Sequence, residues 1–145
     1  MILLDTNVIS EVMRPNGAGN AKRWLDAAPV RSIYVCTPVL GELRFGLETL
    51  APGIRRERLE RAYERIASEL FVDRILGFDR IAAEFFGKLR AERRKAGKPI
   101  ATMDALIGAI ALANSMPLAT RNTLDFEGIG LPLVNPFDPF DAGSC

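Results

Sequence analysis

Short apolar runs without polar interruption constrain the fold of this chain more than any other feature. Residues 2–4 are such a run, and residues 32–36 have the β-branched and aromatic content of a second buried strand. Residues that favour a helix start follow each of them directly. A strand buried on both faces has this continuous pattern, whereas a strand with one wet face alternates. Parallel strands need a crossover between them, usually a helix. The pattern therefore predicts an α/β fold.

Strands and helices alternate along the whole sequence. Helices are indicated by apolar residues at helical spacing and by boundary residues: Asp5, Asn20, Asp79 and Thr102 as caps, the Pro15-Asn16-Gly17 break, and Gly97 as a stop. The predicted strands are residues 2–4, 32–36, 72–76, 118–120 and 133–135, and the predicted helices are residues 8–13, 20–28, 37–50, 55–70, 81–95 and 103–113. Short connections of this kind predict a three-layer α/β/α domain with a mainly parallel central sheet.

The size and composition fit one compact domain. The chain has 145 residues, of which 48% are hydrophobic, and this is enough to build a core. We expect the domain to span residues 1–137 and residues 138–145 to form a C-terminal tail. No apolar stretch approaches the ~20 residues that cross a bilayer, and no signal peptide is recognisable. A cytoplasmic protein without a membrane partner is therefore expected.

Four carboxylates fall where an apolar strand ends or a helix begins: Asp5, Glu42, Asp104 and Asp125. An open α/β sheet collects such positions in a crevice at the carboxyl ends of its strands. The chain contains no histidine, so clustered carboxylates would suit Mg²⁺ or Mn²⁺ much better than zinc or copper. The combination predicts a metal-dependent phosphodiester hydrolase.

Each acid also has an ordinary structural interpretation. Asp5 could be an N-cap, Glu42 an exposed helix residue, Asp104 a favourable charge in a first helical turn, and Asp125 a turn former. Polar neighbours could orient the acids or could simply satisfy turns. These neighbours are Thr6, Asn7, Thr120 and Asn122.

The net charge of +1 hides a strongly basic segment between residues 88 and 98. Its cations face a single acid, Glu92, and are Lys88, Arg90, Arg93, Arg94, Lys95 and Lys98. One interpretation is an electrostatic track for phosphates. The alternative is a solvated helix face with its C-terminal turn.

Four sequence motifs carry a resemblance to a known family. They are Leu3-Leu4-Asp5-Thr6-Asn7, Pro38-Val39-Leu40-Gly41-Glu42-Leu43, Thr102-Met103-Asp104-Ala105-Leu106-Ile107 and Thr120-Arg121-Asn122-Thr123-Leu124-Asp125-Phe126. Together they closely resemble the PIN-domain ribonucleases, specifically the toxins of bacterial VapBC-type toxin–antitoxin pairs, including the FitB-like members. The resemblance runs from residue 1 to about residue 137, with the motifs in family order.

The resemblance implies a PIN fold that cleaves RNA endonucleolytically. Asp5, Glu42 and Asp104 would bind Mg²⁺ or Mn²⁺, Asp125 would contribute through water, and Thr6 and Asn122 would support them. Arg93, Arg94 and Lys98 become the candidate RNA contacts.

Partners are implied as well: a second copy in a homodimer, and a VapB-type antitoxin whose C-terminal segment lies in a groove and places a basic side chain in the acidic site. The helical hairpin of residues 43–70 is the candidate groove, with Phe45, Leu50, Ile54 and Tyr63 as candidate contacts; ordinary core packing is their alternative.

Other classes of protein remain open from the residues alone. A haloacid-dehalogenase-like phosphatase needs a second Asp where this chain has Asn7. A receiver-like domain needs a phosphoacceptor Asp and a Lys that the sequence does not clearly show. A non-catalytic module that holds an ion or a basic partner is the third alternative.

Overall fold

The computed structural model describes residues 1–14 and 19–139. The predicted break at Pro15-Asn16-Gly17 and most of the predicted tail lie outside these residues. The described part contains a five-stranded sheet with the order β3-β2-β1-β4-β5, in which every pair of neighbours is parallel. The strands are β1 (Ile2–Leu4), β2 (Ile33–Cys36), β3 (Ile75–Leu76), β4 (Leu118–Ala119) and β5 (Leu133–Val134). The predicted parallel α/β architecture is confirmed.

Helices connect the strands and flank the sheet. The described residues form α1 (Thr6–Met13), α2 (Asn20–Ala27), α3 (Thr37–Glu48), α4 (Ile54–Arg65), α5 (Arg80–Lys95) and α6 (Thr102–Ala113). A π-helical segment, Ile66–Leu70, extends α4, and two 3₁₀ turns occupy Val30–Ser32 and Thr123–Phe126. None of the helices in the described residues is long and apolar enough to span a membrane.

Several predicted boundaries were wrong by a few residues. Gly19 and Ala101 occupy the N-cap positions of α2 and α6, so Asn20 and Thr102 are the first helical residues instead of caps. Strand β3 is shorter than predicted because the chain turns immediately before it, where the Arg74 amide donates to the Phe71 carbonyl at 2.8 Å. By contrast, Asp79 caps α5 through the Ala82 amide, as predicted.

The core is built around β1, the central strand. Leu3 and Leu4 are fully buried and pack in one cluster with Val8, Val35 and Ile110. Because β1 pairs with both β2 and β4 in parallel register, the carboxyl ends of these three strands lie side by side. The residues that follow them, at positions 5, 37 and 120, therefore meet at one edge of the sheet.

Candidate active site

Asp5 occupies the centre of this edge, directly after β1. It is only 4% exposed. Its Oδ1 accepts a hydrogen bond from the Thr6 amide at 2.7 Å and caps α1, while its Oδ2 accepts from the Thr120 hydroxyl at 2.7 Å and from Asn7 Nδ2 at 3.3 Å. Asp5 is therefore a helix cap, and it is also bound to a residue that follows the neighbouring strand.

Three of the predicted supporting residues form a connected network beneath the acids. Thr120 is completely buried, and its Oγ1 accepts from the Asn122 amide at 3.0 Å while it donates to Asp5. Asn7 Oδ1 accepts from the Arg121 amide at 3.1 Å. The start of α1 and the segment after β4 are thus fastened to each other at the site.

Three of the four predicted acids line one open pocket of about 320 Å³. Glu42 projects from α3, and Asp104 from the first turn of α6. The lining residues are Asp5, Thr6, Asn7, Ser10, Glu11, Arg14, Glu42, Asp104, Arg121 and Asn122. Asp125 is exposed on the 3₁₀ turn after β4 and is not part of this lining, although its charge acts on Asp5 and Asp104.

The acids influence one another electrostatically. Burial raises the pKa of Asp104 to about 6, and the charges of Asp5, Asp125 and Glu42 add to this. Burial also raises the pKa of Asp5, against the opposing effect of its hydrogen bonds from Thr120 and Thr6. The pocket therefore carries unfavourable negative charge that a bound cation would relieve.

The donor set fits a hard divalent cation. Thr6 Oγ1 is buried at the pocket and has no hydrogen-bond partner among the described residues. The other side-chain oxygens of the lining belong to carboxylates, amides and the Ser10 hydroxyl. Cys36, behind Asp5, offers no thiolate, because burial raises its pKa to about 12. Within the described residues, no group of three or more acid, cysteine or histidine side chains is placed to hold a metal ion as it stands. An open set of a few carboxylates is what Mg²⁺ uses when it retains several waters.

Comparison with known proteins decides the family. Residues 2–129 match the sequence model of the family described as "PIN domain". The chain belongs to the PIN-domain family. The resemblance based on the four motifs is confirmed, and so is the predicted fold.

Named relatives align with almost the full length of this PIN domain. It is 40% identical to "Plasmid stability protein StbB" of Pseudomonas syringae pv. tomato, over 95% of this chain and 99% of the relative. It is 36% identical to "VapC ribonuclease Y4jK" of Sinorhizobium fredii, over 96% and 99% of the two chains. Among solved structures, FitAB bound to the IR36 DNA fragment superposes with a TM-score of 0.86 at 35% identity, covering 98% of this chain and 99% of the other.

Sequence reasoning missed three charged residues at the rim of the pocket. Arg14 and Arg121 both pair with Glu11, at 3.5 Å and 3.9 Å. Arg121 also stacks on Phe137, with its guanidinium carbon 3.8 Å from the ring centroid. A polar stripe at helical spacing on α1, which includes Ser10, could have indicated that this face lines a site.

The basic segment divides into two parts. Arg94 and Lys98 are exposed, and Arg94 lines a groove with Arg90 and Lys95. Arg93 differs, because its guanidinium donates to backbone carbonyls of the chain itself. The prediction that these side chains bind RNA stays a prediction.

A second groove of about 380 Å³, between α1, α3 and α4, adjoins the acidic pocket. Phe45 and Leu50 line it, and it shares Thr6 and Glu42 with the pocket. The other two candidate contacts do not line it: Ile54 is exposed at the start of α4, and Tyr63 is half-buried beneath Arg44.

Proposed function

We propose that this PIN domain is a Mg²⁺- or Mn²⁺-dependent endoribonuclease that acts as the toxin of a VapBC-type toxin–antitoxin pair. The observation that carries the proposal is the pocket shared by Asp5, Glu42 and Asp104, in which burial and mutual repulsion raise the pKa of two of the acids. The names of the relatives support the activity, since they include a VapC ribonuclease and a tRNA(fMet)-specific endonuclease.

The residues in and around the acidic pocket would have different roles in cleavage. Asp5, Glu42 and Asp104 would hold the ion, with Asp125 contributing from the margin. When bound, a divalent ion lowers the pKa of an attacking water and neutralises charge on a phosphoryl oxygen. Thr120 and the Thr6 amide hold Asp5 in one orientation and favour its ionised form. Arg14 and Arg121, at the rim, place positive charge where an RNA phosphate would enter.

An antitoxin would close the site through the apolar groove. Solved relatives include DNA-bound FitAB, DNA-bound VapBC and a toxin–antitoxin complex from Klebsiella pneumoniae. The groove beside Phe45 and Leu50 leads to Glu42 and the acidic pocket, so an amphipathic helix in it could bring a basic side chain to the acids. Homodimer formation stays a prediction of the family resemblance.

The experiment compares RNA cleavage by the purified chain and its Asp5→Asn variant, with Mn²⁺ and with a chelator. Asp5→Asn should reduce cleavage by more than about 100-fold, since loss of an outer-shell partner alone typically costs about 10–100-fold. Asp26→Asn is the matched control, because Asp26 is exposed on α2 and forms a local ion pair with Lys22, one helical turn away.

The outcomes separate the classes of function. Metal-dependent cleavage that Asp5→Asn removes and Asp26→Asn retains supports the nuclease. Stabilisation by Mn²⁺ without any cleavage would favour a non-catalytic metal-binding module. Cleavage unaffected by the chelator would contradict the role of the metal.

A further inference from the structure

Arg93, in the last turn of α5, connects that helix to the turn that carries Asp125. Its Nη1 donates to the Asp125 carbonyl at 3.0 Å and to the Glu127 carbonyl at 3.2 Å. Its Nε donates to the Lys98 carbonyl at 2.7 Å. Three of the five N–H groups of this guanidinium are thus bound to the protein backbone.

The backbone of Arg93 is hydrogen-bonded as well. The Lys98 amide donates to the Arg93 carbonyl at 2.9 Å, so the two residues bind each other in both directions. Gly97, with φ of 71°, makes the turn that allows this. The guanidinium therefore extends from a closed helix end in a fixed direction.

Besides Arg93, the Asp125 turn is held by its own backbone, including a hydrogen bond from the Glu127 amide to the Leu124 carbonyl at 3.4 Å. It is a single 3₁₀ turn, Thr123–Phe126, in which the Asp125 amide donates to the Asn122 carbonyl at 3.0 Å. Phe126 is fully buried and anchors the turn from inside. Arg93 binds the carbonyls on both sides of Phe126, so it and the buried ring together fix the backbone from which the exposed Asp125 carboxylate projects.

We infer that Arg93 is a positioning residue that holds Asp125 at the margin of the acidic pocket. This inference rests on the proposed function, because it gives Asp125 a part in binding the catalytic ion. It assigns to Arg93 a role different from the RNA contact predicted for it. Lysine could not replace it, because one ammonium on a flexible stem lacks the planar fork that reaches three carbonyls.

The test is a double-mutant cycle of Arg93→Ala and Asp125→Asn on the full chain. The first readout is binding of Mn²⁺ alone, by calorimetry well below the melting temperature; the second is kcat and KM for RNA cleavage. Arg93→Ala should weaken Mn²⁺ binding by about 10-fold, as loss of an outer-shell partner does, and should have almost no further effect once Asp125 is replaced. Arg93→Lys should resemble Arg93→Ala.

Arg80→Ala is the control, because Arg80 is an exposed arginine at the other end of α5. It should leave Mn²⁺ binding and cleavage unchanged. Hydrogen exchange at the Asp125 and Glu127 amides adds a readout that does not depend on metal, and Arg93→Ala should accelerate it.

The outcomes distinguish a positioning role for Arg93 from an RNA contact and from failure of the proposed function. Additive effects of the two substitutions, or a raised KM for RNA with unchanged Mn²⁺ binding, would overturn the positioning role and return Arg93 to RNA contact, while leaving the nuclease proposal intact. A parent chain that neither binds Mn²⁺ nor cleaves RNA would overturn the proposed function and this inference together.

Discussion

Thr120 donates its hydroxyl hydrogen to Asp5 Oδ2 over 2.7 Å, although the two residues lie 115 positions apart in the sequence. The bond joins the ends of β1 and β4, which are neighbours in the sheet. It also lowers the pKa of Asp5, against the larger effect of burial. Thr120 therefore favours the ionised form of a buried carboxylate at the centre of the pocket.

Replacing Thr120 by valine should damage the site while preserving its shape. We expect a loss of about 2 kcal/mol in the free energy of unfolding, since a hydrogen bond to a charged group contributes about 1.5–3 kcal/mol. The pKa of Asp5 should rise further, so the pH at which metal-dependent cleavage is half-maximal should move upwards. Chemical denaturation and a pH–rate profile measure the two effects.

Thr120→Ser provides the matched control, because it retains the hydroxyl. Its pH–rate profile should coincide with that of the parent chain. If Thr120→Val left the profile in place, the bond to Asp5 would have no influence on the ionisation of the site.

Asp104→Asn should stabilise the metal-free protein at pH 7. Because the folded-state pKa of Asp104 is raised to about 6 from an ordinary value of 3.8, the folded state binds more protons between these values. Stability from this group is therefore greatest at low pH and is lost as the pH rises towards 6 and above. The variant should melt a few degrees higher at pH 7, since about 1 kcal/mol is worth about 2–4 °C at this size.

The gain in melting temperature of Asp104→Asn over the parent chain should decrease as the pH falls from 7 to about 4. In millimolar Mn²⁺ the parent chain should instead melt at a higher temperature than the variant, because a ligand that binds only the folded parent stabilises it. Melting curves across pH, with and without Mn²⁺, provide the measurement. A pH-independent gain would mean that the amide side chain simply packs better than the carboxylate and that the acids do not repel one another.

Much of the fold could be predicted because the three central strands, β1, β2 and β4, are largely buried. Residues 2–4 form a continuous apolar run, and the acid that follows them is the helix cap that the sequence predicted. The cap positions of α2 and α6 could not be predicted, since Gly19 and Ala101 make no side-chain cap bond and leave no sequence signal. The helices were nevertheless placed to within a few residues.

The site was only partly predictable, for a different reason. Asp5, Glu42 and Asp104 could be placed together because parallel strands bring their carboxyl ends to one edge. The role of Arg93 depends on carbonyls 32 and 34 positions away, and backbone acceptors have no sequence signature. Charge patterning alone therefore grouped Arg93 with the exposed Arg94 and Lys98.

Neutralising Arg94 and Lys98 together should weaken RNA binding in a salt-dependent manner. Each phosphate contact that is lost should reduce the slope of log K against log salt by about 0.7 for a single strand. Binding to the Asp5→Asn variant, which should not cleave, measures the slope. The control pair is Arg58→Gln with Arg80→Gln, which removes two exposed cations elsewhere. Equal slopes in both pairs would make the basic segment an ordinary solvated surface.

Phe137→Leu should loosen Arg121 without removing its charge. The ring lies 3.8 Å from the guanidinium carbon, whereas the backbone of Phe137 is held separately, by Asn20 Nδ2 at its carbonyl and by Asn135 Oδ1 at its amide. A cation–π contact at an exposed site contributes about 0.5–1 kcal/mol. If Arg121 meets an RNA phosphate in the orientation that this contact fixes, KM for RNA should rise by about 2–5-fold, the equivalent of that energy, with kcat nearly unchanged.

Phe85→Leu makes the same chemical change on the exposed surface of α5 and should leave both constants at the parent values. A fall in kcat with KM constant would show instead that Phe137 supports the acids themselves, through the contact between Arg121 and Glu11.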